Sequence, residues 1–213
     1  MIPTQFLLTL FFLTIIFLHI AKKNFGAAIT YGLQSFIIVL LLFNSYLVTG
    51  SVYFLLIAIL GLVVKVILAP IFFIQLIKKH QLRFLVSTYL NTPLTLIVVA
   101  GLAAFAHTSI FTALVTIVPA HQELLSLALG SIFISLFLVI NRKGALSQII
   151  GVLTLENSIV AFGLFSVVDQ SLILQIGIIF SISIWIVIAT AFISMIYKHF
   201  GSLNVTEMKH LKE

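Results

Sequence analysis

Hydrophobic positions along this chain run in long unbroken blocks, separated by short polar interruptions. The blocks fall near 4–20, 26–47, 52–77, 92–117, 122–140, 145–167 and 172–197. Each approaches or exceeds the roughly 20 residues that a helix needs to cross a bilayer. Inside lipid the backbone must pair with itself, so apolar stretches of this length are predicted as helices. The period-two alternation of a barrel strand is absent. The pattern predicts an all-α fold, an integral membrane bundle of seven transmembrane helices. Residues Met1–Gln5 carry no positive charge and no small-residue cleavage site follows them, so the first block reads as a retained helix rather than a signal peptide.

The polar interruptions set an orientation. Lys22 and Lys23 follow the first block; Lys78, Lys79 and Arg83 follow the third; Arg142 and Lys143 follow the fifth. Lys198, Lys209 and Lys212 lie in the tail. The intervening loops, near Ser45–Ser51, Pro119–Glu123 and Val168–Ser171, contain no Lys or Arg. Of 11 basic residues only Lys65 departs from this one-sided pattern. Basic loops stay in the cytoplasm, which predicts the N-terminus outside, the C-terminus cytoplasmic and a multi-pass protein of the cell membrane.

Composition agrees with the pattern. Hydrophobic residues make up 62% of the chain and charged residues 8%, a balance that no soluble domain hides from water. The net charge of +6 is accounted for by loops beside apolar blocks, so it argues for the lipid bilayer as partner and not for nucleic acid. The absence of cysteine excludes disulfides, Cys-ligated clusters and thiolate zinc sites. Five of the six histidines, His19, His80, His121, His199 and His210, are predicted at or beyond helix ends, which leaves only His107 well inside a span and no pair to clamp a haem. No cofactor is expected in this chain.

Function should lie in the ionisable groups that remain at depth, because a charge there costs several kcal/mol. Lys65 stands 13 residues from both Val52 and Lys78, at the centre of the third block. Glu156 stands near the middle of the sixth, 14 residues after Arg142. About 20 Å of helix separates each from either surface, too far for full snorkelling. A buried carboxyl that takes and releases a proton is what a relay needs, and a buried amine can modulate it. Pro70, five residues after Lys65, is predicted to free the carbonyl of Val66 and to open the helix locally. Glu156 lies in a polar strip with Thr154, Asn157 and Ser158. A static buried ion pair that fixes helix packing is the competing reading of Lys65 and Glu156. His107, beside Thr108 and Ser109, reads either as a proton carrier or, more simply, as a hydrogen-bonded packing residue. Gln34, Ser35, Ser181 and Ser183 are expected to make interhelical hydrogen bonds, and Ala100 with Ala104 to mark close helix packing. Glu123 and Asp169 fall at the outer surface.

The segment Asn141-Arg142-Lys143-Gly144-Ala145-Leu146-Ser147-Gln148-Ile149-Ile150-Gly151, leading to Leu155-Glu156-Asn157, resembles the K-type small subunit of complex I and its relatives, in which a basic loop precedes a helix with a mid-membrane Glu. Adding Tyr31-Gly32-Leu33-Gln34-Ser35, Lys65-Val66 with Leu68 and Pro70, and Gly201-Ser202-Leu203-Asn204-Val205, nearly the whole chain resembles the hydrogenase-4 component E family. The resemblance implies a four-helix N-terminal extension over residues 1–118, a three-helix K-like unit over 119–198 and a short cytoplasmic tail over 199–213. It implies a noncatalytic subunit of a complex-I-related nickel–iron hydrogenase assembly. The expected partners are antiporter-like and quinone-site-like membrane subunits, with the hydrogenase peripheral arm contacted indirectly. Glu156 takes the family's relay position and Lys65 that of its lysine, with Pro70, Asn157, Gln34, Ser181 and Ser183 in support and His107 a lesser member of the path.

The last block departs from that family's pattern: Leu174–Trp185 contains no acid where K-type subunits carry a second carboxylate. Ser181 and Ser183 there can hold water but cannot store a proton. Two other readings of the same residues stay open, an accessory subunit of a multi-subunit cation/proton antiporter and a structural scaffold locked by the ion pair. A seven-helix receptor rests on helix count alone.

Overall fold

A computed structural model describes residues 3–79, 86–111 and 122–165, together with Thr190, Ile193 and Tyr197. Within them the fold is helical throughout. Helix α1 covers Thr4–Ile20 and α2 covers Asn24–Thr49. The third block forms α3 (Val52–Gly61), a π-helical segment (Leu62–Leu68) and α4 (Ala69–Lys79) in direct succession. Helix α5 covers Thr92–Ala106, α6 covers Gln122–Asn141 and α7 covers Ala145–Phe165.

Four of these stretches, Asn24–Thr49, Val52–Lys78, Gln122–Asn141 and Ala145–Phe165, are long and apolar enough to cross a membrane, and α1 and α5 are shorter apolar helices. The outer surface carries large apolar side chains such as Phe17, Val48, Ile97, Ile110 and Ile140, each more than 60% exposed. Water would not tolerate so continuous a greasy exterior. The chain has the build of a multi-pass membrane protein.

Local chemistry explains where the helices stop. Gly50 ends α2 in the left-handed conformation at φ 69°, open to glycine without a Cβ clash. Asn91 caps α5, accepting from the Leu94 N–H at 3.0 Å, with Pro93 in the first turn. Helix α5 ends at Ala106, well short of the 92–117 expected from hydropathy. There the polar run His107-Thr108-Ser109 takes over the last carbonyls: His107 Nδ1 lies 2.9 Å from the Ala103 carbonyl and the Thr108 hydroxyl donates to Phe105 at 2.7 Å. A short 3-10 turn, Ser109–Phe111, follows.

Helices α1 and α2 form an antiparallel pair closed at one end by Asn44, which donates to the Thr4 hydroxyl at 2.9 Å. Helix α1 also packs on α5 and α6; α2 also packs on α3, the π segment, α4 and α7. The two apolar cores each draw on both halves of the chain: Leu8, Phe11 and Ile38 meet Leu125, Ile134 and Ala161 in one, and Tyr31 and Phe73 meet Leu138 and Leu153 in the other. Residues 1–118 and 119–198 therefore share their interior wherever both are described.

Helices α6 and α7 approach most closely at Gly151. A Cβ placed there would sit 3.2 Å from the backbone N and Cα of Val139, and backbone cannot move aside as a side chain does. Gly151→Ala is expected to cost about 1–3 kcal/mol through overpacking, read as a lower melting temperature in detergent. Small residues also seat α5 on α6, but on another face than the sequence suggested. Ala100 and Ala104 are exposed, and it is Ala106 and Ala103 that lie against Gly130, at 3.4 and 4.0 Å from a Cβ built there.

Three connecting segments meet at the end of the bundle opposite Asn44. The Val86 N–H donates to the Lys22 carbonyl at 2.7 Å, the Lys143 N–H to Ser87 at 3.1 Å, and the Tyr89 N–H to Asn141 at 3.0 Å. Thr88 and Arg142 form an isolated antiparallel bridge. Lys22, Lys23, Arg142 and Lys143 thus share one end, as the charge pattern requires of loops on one side of a membrane.

Arg142 is not a solvated loop cation. Its side chain is buried, and its guanidinium donates to the Ala21 carbonyl at 3.2 Å and to the Leu18 carbonyl. It satisfies carbonyls that the end of α1 leaves without donors and places positive charge at that helix's negative pole. Burial lowers its pKa to about 10, so it remains charged at neutral pH. Arg142→Leu is expected to uncap α1 at a cost of about 1–3 kcal/mol, and Arg142→Lys to recover only part, since one ammonium cannot reproduce the planar fork. Thermal melting of the three proteins in one detergent checks the order.

Candidate functional site: a buried lysine–glutamate pair

The site is assembled by three elements. Lys65 comes from the middle of the π segment, Glu156 and Asn157 from α7, and Ser35 from α2, which runs between them. The local opening expected near Pro70 takes a definite form: the Ala69 N–H bonds the Val64 carbonyl five residues back, so the helix is widened by one residue per turn through Leu62–Leu68. In that register the donor missing at Pro70 is the one that would reach the carbonyl of Lys65, rather than the Val66 carbonyl of an ordinary α-helix. The Pro70 ring packs on α2 at Gly32, with its Cγ 3.0 Å from where a Cβ would stand. Gly32 is what lets α2 lie so close beside the widened turn.

Lys65 Nζ donates to both carboxylate oxygens of Glu156 at 2.6 Å and to Asn157 Oδ1 at 3.1 Å. The ammonium's three donors are thereby spent. Asn157 passes the network on, donating from Nδ2 to the Ser35 hydroxyl at 3.0 Å. The two charged side chains are not equally enclosed: Lys65 is 5% accessible and Glu156 17%. The Lys65 side chain is buried inside the bundle, and the Glu156 side chain is partly exposed. Among the described residues this is the ion pair, and both members come from the positions that depth alone had singled out.

Other polar residues surround the pair without joining it. Ser158 on α7 and Ser135 on α6 face each other at 2.8 Å, and Ser158 and Thr154 also donate to carbonyls one turn back in their own helix. Tyr31 on α2 is fully buried edge-on to Phe73 of α4, its rings' centroids 6.1 Å apart, with its hydroxyl toward Ser35 but not closing a hydrogen bond. Gln34 is fully buried and its amide makes no hydrogen bond among the described residues; there the interhelical bond is made by its neighbour Ser35.

His107, expected inside a span, lies one residue past the end of α5 with its ring exposed and turned back on its own helix. Ser181 and Ser183, and the acid-free last block around them, lie outside the described residues. Sequence reasoning named Tyr31 only within a family motif and placed Arg142 in a loop. Nothing in the sequence separates Arg142 from Lys143 beside it, which the same short corner leaves only partly buried.

Chemically, a carboxylate chelating an ammonium, with an amide and a hydroxyl behind them, can exchange a proton between neutral and ionic forms without moving heavy atoms far. Among the described residues no three His, Asp or Glu side chains gather as metal ligands would. Compared with protein-family models, characterised proteins and solved structures, the chain finds no match.

Proposed function

We propose that this protein is a noncatalytic, ion-translocating subunit of a membrane complex, with the Lys65–Glu156 pair as its protonatable element. The observation that carries this reading is the pair itself: two opposite charges held at 2.6 Å, both far from either helix end, with the Glu156 side chain the less enclosed of the two. A charge is expensive at that depth and seldom present without a task in ion or proton movement. In this reading Glu156 accepts and passes protons, and Lys65 sets its affinity for them.

The fuller architecture belongs to the same proposal: seven transmembrane helices, the N-terminus outside and the basic end in the cytoplasm. The convergence of Lys22, Lys23 and Lys143 at one end supports it. The resemblance to the hydrogenase-4 component E family supplies the assembly, a nickel–iron hydrogenase related to complex I with antiporter-like and quinone-site-like neighbours. Purification of the tagged complex in mild detergent tests the assembly. Nickel, iron and hydrogenase-like subunits are the expected companions; antiporter-like subunits without redox centres would move the protein to the antiporter class, and a lone chain from intact membranes would sink both.

A static lock is the second reading, favoured by the saturation of all three Lys65 donors within the protein. It predicts that replacing Lys65 and Glu156 together by Leu and Met leaves ion movement intact.

A further inference from the structure

Gln34 stands out among the buried polar groups. Its side chain is 0% accessible, and neither its amide nitrogen nor its amide oxygen has a partner among the described residues. Two of the helices packed on α2 carry polar residues toward this level. The Asn44–Thr4 hydrogen bond sets the register of α1 against α2, and ten residues inward from it on each helix Thr14 stands level with Gln34. The Asn157–Ser35 bond brings Asn157 of α7 to the residue next to Gln34. Thr14 is buried as well, its hydroxyl donating to Phe11 at 2.5 Å and keeping its lone pairs for a further donor. One turn back along α2 the fully buried Tyr31 hydroxyl is a further orphan, and it faces Ser35 of the Lys65–Glu156 network.

A primary amide offers two donors and two acceptor sites. Leaving all of them unused in a membrane interior is among the least favourable arrangements a side chain can adopt, since no lipid group can substitute. An internal water makes about two to four hydrogen bonds and is the usual remedy for polar groups that no protein atom reaches. We infer that the α2 face at Gln34 and Tyr31 is an internal water-binding site, which extends the hydrogen-bonded network of the Lys65–Glu156 pair along α2. The ligand is water itself. Gln34 supplies donor and acceptor, Tyr31 a hydroxyl that both gives and takes, and Ser35 the link to Asn157. The water site stands on the orphaned groups; its part in carrying protons to Glu156 rests on the function proposed above.

Radiolytic hydroxyl labelling separates the two claims, because radicals made from bound water mark the side chains beside it whether or not ions move. In the intact complex, Tyr31 is expected to label at a rate within about tenfold of the exposed Tyr89, while the equally buried Phe73 stays unlabelled. Gln34→Leu, with Gln34→Met as the better-fitting replacement, is expected to reduce Tyr31 labelling at least fivefold in whichever variant assembles. Tyr31 that labels no faster than Phe73 in the unmodified protein, or labelling that either variant leaves unchanged, would overturn the site. Loss of labelling in Gln34→Met with ion movement unaltered would keep the water site and remove its role in the relay.

Discussion

Lys65→Leu alone is expected to be among the most damaging single substitutions in the chain, lowering stability by about 3–5 kcal/mol, because it leaves the Glu156 carboxylate buried without its counter-charge. Among the described residues the amine makes every hydrogen bond that the carboxylate oxygens receive from a side chain, 2.6 Å to each, and Asn157 loses a donor in the same step. The double replacement Lys65→Leu with Glu156→Met removes both charges and fills comparable volume, so it is expected to recover most of that loss. Unfolding in mixed micelles, run on the unmodified, single and double forms, measures the coupling directly. A single variant as stable as the unmodified protein would mean that the pair contributes nothing to holding α7 against the π segment. Together the variants also divide the two readings of the site: the relay predicts a stable double variant that no longer moves ions, and the lock predicts a stable one that still does.

The second large effect is on activity. Glu156→Gln keeps an acceptor oxygen for Lys65 and the shape of the side chain but removes the counter-charge, so some stability is expected to be lost while the complex still assembles. What it removes is the group that can hold a proton in one state and a charge in the other. Ion movement coupled to the complex's reaction is therefore expected to fall at least tenfold, with the uncoupled reaction persisting at partner subunits. Glu156→Asp retains the chemistry but shortens the reach to Lys65 by one methylene, and an intermediate rate is expected. The ratio of ions moved to substrate turned over, measured in sealed vesicles, reads the effect apart from any change in expression.

Much of this molecule was legible in the hydrophobic pattern. Helices α1, α2, α6 and α7 and the whole stretch 52–79 follow apolar blocks whose limits are set by Gly50, by Lys22–Lys23 and by the Asn141–Gly144 corner. Depth in the sequence also selected Lys65 and Glu156, since a charge in the centre of a block has few innocent explanations. What periodicity could not supply was direction around a helix. Helix α5 is apolar on all sides, so nothing in its sequence distinguished the Ala100–Ala104 face from the Ala103–Ala106 face that packs on Gly130.

Its end was equally hard to read, because the hydropathy of 107–117 stays high while two adjacent polar side chains, His107 and Thr108, stop the helix through hydrogen bonds to its own carbonyls. The pairing of Lys65 with Glu156 lay beyond sequence for a different reason. It depends on α2 packing between α4 and α7, which Gly32 permits by receiving Pro70 so closely. Proline pointed to an opening in the helix; only the packed bundle selected a π turn and set the amine within it. Arg142 shows the opposite case, a residue whose position obeys the charge rule for loops while its side chain serves as the cap of a neighbouring helix.

The central claim is that the Glu156 carboxyl changes its protonation as the complex works. Infrared difference spectra of the assembled complex, recorded between resting and turning-over states with and without Glu156→Gln, test it most directly. A protonated-carboxyl band is expected to appear or shift on turnover in the unmodified complex and to be missing from the variant. A carboxylate at Glu156 that stays ionised throughout, while ions continue to cross at the full rate, would contradict it and leave the pair as a lock between helices.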